Sequence, residues 1–162
     1  MASQTAIEYG ASRLRLLEFD GAGRKLRVQS VHEASLEVGV TEGEEEAGDL
    51  RATVIADAVK ESGVRLDPSA MAFDSSHAIF REFDLPFTNE DQIRKVVRFE
   101  AEGHMPVEID DVVIQHLVLR KTRDKSRVLV AAVRKDDLLD RLDILEEANL
   151  DPMHVDLDDL AL

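Results

Sequence analysis

The sequence predicts an α/β protein: one mixed sheet with a small α+β module inserted into it. Three observations carry that reading. Strand-like and helix-like periodicities alternate along the 162 residues. Their order is β-β-β-α-β, then β-α-β-β-α, then a single β. That last strand is separated from the first four by the whole second group, so a sheet that opens and closes around an inserted unit accommodates the order. The expected boundaries are residues 1–76 plus 152–162 for the sheet and 77–151 for the module.

Thr5–Tyr9 and Leu14–Phe19 are short strands around Gly10-Ala11-Ser12. Asp20-Gly21-Ala22-Gly23 is a strong turn signal. Lys25–His32 then alternates Leu26, Val28 and Ser30 with Lys25, Arg27 and Gln29, the period of a half-buried strand. The acidic stretch Glu42–Asp49 predicts a solvated loop, because like charges repel. Asp49–Ser62 places Leu50, Val54, Ile55, Ala58 and Val59 on one helical face, with Asp49 as cap and Gly63 as the left-handed stop. Ser69–Phe73 is a short buried strand.

His77–Leu85 opens the inserted module as an alternating strand. Thr88 and Asp91 form a capping-box pattern ahead of a helix from Asn89 to Gly103. Its inward face is predicted as Ile93, Val96, Val97, Glu100 and Ala101, and Met105-Pro106 forces an extended exit. Asp111–Leu119 and Arg127–Val133 are strands joined by a polar hairpin tip. Lys135–Asn149 is a helix with Leu138, Leu139, Leu142, Leu145 and Ala148 inward. Met153–Leu157 returns as a strand and Asp158–Leu162 begins another helix, a stop that points to a fragment rather than a natural short protein.

Composition excludes several functions. A net charge of −14, with 20 basic residues among 34 acidic ones and few aromatics, argues against nucleic acid and against direct contact with anionic lipid. No apolar run approaches the roughly 20 residues a membrane span needs, and no signal-peptide pattern opens the chain. Cysteine is absent, which removes disulfide and thiolate chemistry and suits a reducing compartment. Ser75-Ser76-His77 lacks the glycine-flanked elbow of a serine hydrolase. Glu100 and His104 have a metal-compatible spacing with no third ligand, so a solvated pair is the ordinary reading. The carboxylates Asp156, Asp158 and Asp159 read as helix capping rather than a cation site.

Several spaced motifs resemble one bacterial family. Leu85-Pro86 at a strand end, Phe99-Glu100-Ala101-Glu102 within a helix, Met105-Pro106 at its exit, Val128–Lys135 and Ala148–Pro152 occur in the order found in type IV pilus assembly proteins of the PilM type and in the cytoplasmic part of the secretion protein GspL. Asn149 stands where that family commonly has glycine. The resemblance covers roughly residues 4 to 162 and implies an actin-like (ribonuclease H-like) subdomain whose inserted module resembles that of the cell-division protein FtsA. It implies a cytoplasmic scaffold, peripheral at the inner membrane, that binds the tail of a PilN-like partner and links to a motor ATPase. Leu85, Pro86, Phe87, Phe99, Met105 and Pro106 are its candidate partner-binding residues, with ordinary core packing as the alternative. Glu8, Gly10, Ala11, Ser12 and Arg15 resemble the phosphate loop of actin-like nucleotide-binding folds. Glu8 stands there in place of Asp and Arg15 in place of Lys, so the resemblance implies a vestigial loop, no catalytic residue and no metal site. ATP and Mg²⁺ belong to a complete two-lobed form. The competing reading is a fragment of an FtsA-like ATP-binding protein, active only with its second lobe.

Overall fold

The computed structural model describes residues 4–10, 12–21, 23–37, 44–66 and 68–160. The chain divides by contacts into two bodies. One takes the residues up to Ser75 together with those from Asp140 onward, and the other is Ser76–Leu139. Residues 140–151, assigned to the module by sequence, therefore group with the first body.

The first body is a five-stranded sheet of β1 (Gln4–Tyr9), β2 (Arg13–Asp20), β3 (Arg27–Ser35), β4 (Ser69–Phe73) and β8 (His154–Leu157) in the order β3-β2-β1-β4-β8. The β1–β2 and β2–β3 pairs are antiparallel; β1–β4 and β4–β8 are parallel. Parallel neighbours need long crossovers. Helix α1 (Glu44–Ser62) supplies the first, and the whole second body lies within the connection from β4 to β8. One sheet face carries Ile7, Tyr9, Leu14, Leu16, Met71 and Phe73, all buried, with Ala52 and Ile55 of α1 and Leu145 of α3 (Lys135–Glu147). The Arg141 guanidinium sits 4.7 Å from the Tyr9 ring centroid, and a Cβ at Gly48 would lie 3.9 Å from Ile144, so α1 and α3 adjoin.

Several local details differ from the sequence expectation. The acidic stretch is not a loop: residues 44–49 are already helical, and residues 42 and 43 lie outside the described residues. Glu is a good helix former, and acidic residues are favoured in a helix's first turn, so propensity and helix dipole outweigh like-charge repulsion. Asp49 consequently sits inside α1, its carbonyl accepting the Thr53 hydroxyl at 3.0 Å, rather than capping it. Leu50 is exposed; the buried stripe centres on Ala52 and Ile55. Strand β3 starts at Arg27 because residues 23–25 form a single 3-10 turn, and Leu26 and Val28 are exposed instead of half-buried. A bulge between Glu18 and Phe19 shifts the register there. Gly21 is required in that turn: at φ 88 its Cβ would come within 2.3 Å of the Lys25 carbonyl oxygen. Gly63 takes the left-handed stop that the sequence predicts.

The second body is an antiparallel sheet of β5 (Ala78–Leu85), β6 (Val112–Lys121) and β7 (Ser126–Arg134), in the order β5-β7-β6. Helix α2 (Glu90–Glu102) packs on one of its faces. Ile93, Val97 and Ala101 of α2 join Phe83, Leu85, Val128 and Val130 in one core. Each large aliphatic side chain buried there contributes about 1.5–3 kcal/mol. The cap of α2 is Asn89, not Thr88: its side-chain oxygen accepts the N–H groups of Asp91 at 2.9 Å and Gln92 at 3.2 Å. Glu100 is exposed rather than inward, and so is Leu139 in α3.

Candidate functional site

Two places carry the residues singled out by sequence. The first is the β1–β2 hairpin. Its turn is closed by the Gly10 N–H donating to the Arg13 carbonyl at 2.9 Å, and the Ser12 carbonyl accepts the Leu36 N–H at 2.8 Å. Ala11 lies outside the described residues. A Cβ at Gly10 would meet only the Arg13 carbonyl at 3.5 Å, an ordinary contact, so the chain's own packing does not demand glycine there.

The strand register sets Glu8 directly opposite Arg15, and Arg15 opposite Glu33. Arg15 Nη1 bonds both Glu8 carboxylate oxygens, at 3.0 and 3.2 Å. Its Nε lies 3.6 Å from Glu33, and Glu33 accepts a 2.7 Å bond from Arg13. The Glu8 hydrogen bond and charge, then the Glu33 charge, raise Arg15 above its usual range, and the Arg13 hydrogen bond lowers Glu33 below its own. Glu8 and Arg15, which the resemblance assigns to Mg²⁺ and phosphate, are thus bound to each other in a four-member ladder. Among the described residues, the two charged members of the phosphate-loop match therefore face each other across the strands as an ion pair. Arg13 and Glu33 carry no local sequence signal, because only the strand register makes them neighbours.

The second place is the exit of α2. Gly103 and His104 turn the chain, with the His104 N–H donating to the Ala101 carbonyl at 2.9 Å. Arg81 Nε donates to the His104 carbonyl at 3.0 Å, and the His104 ring stacks on Phe83 with centroids 4.7 Å apart and planes 13° apart. Farther along, one Arg98 nitrogen bonds both the Ile109 carbonyl and the Asp110 carboxylate at 2.8 Å. The segment between these anchors is held at both ends. It lines an open cavity of about 580 Å³ walled by Glu102, Met105, Pro106, Glu108, Asp111 and Arg134, among others.

The six candidate partner residues separate by environment. Leu85 is a core residue, 1% exposed. Phe87 and Met105 pack partly against that core. Pro86 is exposed, and Pro106 joins Met105 at the cavity. Phe99 is 75% exposed on the outer side of α2, so it does not share the cavity wall. Glu102, Glu108, Asp111 and Arg134 are not among the partner-binding residues the sequence points to, although Glu102 and Arg134 fall within the resemblance motifs; the acidic residues flanking Met105-Pro106 are the available signal. Among the described residues no group of three or more His, Asp or Glu side chains could hold a metal ion, and no helix is long and apolar enough to cross a membrane.

Solved structures carry the same fold, a five-stranded mixed sheet whose β4-to-β8 connection holds a second, three-stranded body. The chain superposes on a PilM–PilN type IV pilus biogenesis complex with a TM-score of 0.79 at 24% identity, over 98% of this chain and 48% of that one. On the cytoplasmic domain of EpsL, an inner-membrane component of the type II secretion system of Vibrio cholerae, the TM-score is 0.63 at 16% identity, covering 99% of this chain and 59% of that one. The chain therefore spans about half the length of these structural relatives. No curated protein sequence matches it. The family model of the type IV pilus assembly protein PilM matches residues 6–162, and the chain belongs to that family.

Proposed function

We propose that this chain is a non-enzymatic docking module of an inner-membrane assembly platform, of the pilus or secretion kind. It receives the cytoplasmic tail of a PilN-like membrane protein, connects the platform to a motor ATPase, and stays at the cytoplasmic face through that partner rather than through lipid. The observation that carries this reading is the pinned exit of α2. There Met105 and Pro106 present apolar surface beside the carboxylates of Glu102, Glu108 and Asp111, a fixed surface for an extended segment carrying apolar and basic residues. Likeness to a PilM–PilN complex supports the choice of partner. Phe99 adds an exposed aromatic anchor on the same helix, and Leu85 and Phe87 hold the helix and its exit in place from within. Such aromatic anchors commonly dominate binding energy.

A synthetic PilN-like tail titrated into the chain is expected to bind. Phe99→Ala should weaken binding about tenfold while leaving stability within about 0.5 kcal/mol, as for other exposed positions. A tail that ignores the chain, or binds Phe99→Ala and Met105→Ala as well as the parent, sinks the assignment.

The proposal includes no nucleotide in this chain, because Glu8 and Arg15 are committed to each other. Calorimetry with Mg-ATP should register no heat of binding, and Arg15→Lys alone should not restore it, since Glu8 remains opposite a cation in the same register. Micromolar affinity in the parent chain would favour the ATP-binding alternative instead.

A further inference from the structure

Strand β6 ends the three-stranded sheet, so one of its edges offers unpaired backbone N–H and C=O groups. Its residues 112–119 read Val-Val-Ile-Gln-His-Leu-Val-Leu, eight positions without Asp, Glu, Lys or Arg in a chain where one residue in three is charged. Burial, then the neighbouring Arg94, holds His116 below its ordinary range, so it too is uncharged at neutral pH. Val113, Leu117 and Leu119 are 42%, 53% and 46% exposed. Exposed, uncharged edges of this length invite pairing, and proteins usually guard them with charge, proline or brevity. The other edges here are guarded. Strand β5 carries exposed Arg81, Glu82 and Asp84 and leads into Pro86, β8 has four residues, and β3 carries Arg27 and Glu33.

The two ends of β6 differ in sign. Glu108, Asp110 and Asp111 precede it; Arg120, Lys121 and Arg123 close it. Asp110 and Lys121 already have partners in Arg98 and Glu90, whereas Asp111 and Arg120 make no ion pair among the described residues. We propose that β6 pairs antiparallel with β6 of a second copy, joining two three-stranded sheets into one of six strands. The two-fold arrangement lays the acidic end of each strand beside the basic end of the other; parallel pairing would oppose like charges. It also brings the exposed Val113, Leu117 and Leu119 of both copies into one apolar strip and gives the edge backbone groups partners. The pairing uses both β6 edges and leaves only guarded β5 edges outside, so assembly closes at two. This inference rests on the β6 edge rather than on the α2 exit, and the two surfaces share Asp111.

Sedimentation equilibrium of the 162-residue chain, from about 1 µM to about 1 mM, is expected to give twice the chain mass at the upper end. Leu117→Lys, at an exposed position, should raise the dissociation constant tenfold or more while the circular dichroism stays that of the parent. Asp111→Arg and Arg120→Asp should each weaken association by a similar factor, and their combination should bring it back to within about threefold of the parent. A single-chain mass at every concentration overturns the proposal. So does a dimer indifferent to Leu117→Lys and to both reversals, and so does association that continues past two copies.

Discussion

Leu85→Ala is expected to destabilise the three-stranded body by about 2–5 kcal/mol, the range for emptying a fully packed leucine site. Leu85 is 1% exposed and shares a core with Phe83, Ile93, Val97, Ala101, Val128 and Val130. That core lies between one helix and three strands, so little surrounding mass can collapse into the hole. The neighbouring Pro86 is exposed and is not expected to show such a loss. The measurement is urea unfolding followed by far-ultraviolet circular dichroism, with amide exchange in β5, β6 and β7 as the local readout. Two compact bodies need not melt in one step, so exchange discriminates better than the bulk signal. Protection should collapse in those strands and persist in β1 and β4. Loss of partner binding in Leu85→Ala would then reflect a melted body, whereas loss in Phe99→Ala would reflect a missing contact. Leu85→Ala melting no earlier than Pro86→Ala would show that the Leu85 site is not the packed core described.

The contrast between Leu85 and Phe99 marks what the sequence could reveal. Element order, the identity of the eight strands and three long helices, the left-handed Gly63 and the return of β8 to the first sheet follow from periodicity and turn chemistry. Residues 158–160, expected to begin a helix, form a turn, and residues 161 and 162 lie outside the described residues. Asn149, at a position that favours glycine, adopts φ 59, a conformation asparagine tolerates better than most residues. Periodicity failed where two rules competed. Glu44–Gly48 carries the charge density of a loop and the propensity of a helix, and the helix prevailed. Leu85 and Phe99 both read as apolar residues in plausible partner motifs; only packing shows that one is inside and the other outside. Helical spacing placed Glu100 inward, yet desolvating a carboxylate costs more than the helix gains by keeping it on the inner face. The Glu8–Arg15–Glu33–Arg13 ladder joins residues from three strands, so it depends on a cross-strand register that no local pattern specifies.

Asp158→Ala is expected to loosen the end of β8 and to flatten the acid limb of the stability curve. The Asp158 carboxylate accepts the Ser75 backbone N–H at 3.0 Å, the Ser75 hydroxyl and its neighbour Asp159 N–H at 2.8 Å. Ser75 is 7% exposed, so removing the carboxylate strands two of its donors in a place water reaches poorly. That costs about 1–3 kcal/mol. The Ser75 hydroxyl, ahead of the backbone bonds, holds Asp158 below the usual carboxylate range. Because the folded value lies below the unfolded one, near 3.9, this stabilisation is complete above about pH 4 and is lost as pH falls through the lower folded value. The parent and Asp158→Ala should therefore differ most at neutral pH and converge in acid. Asp158→Asn keeps an acceptor oxygen without the titration, so it should recover part of the neutral-pH stability and none of the acid dependence. Urea midpoints at pH 7 and about pH 3 decide the matter: a gap between parent and Asp158→Ala that is as wide in acid as at neutrality would mean that the carboxylate charge has no part in fastening β8 to the strand that Ser75 follows.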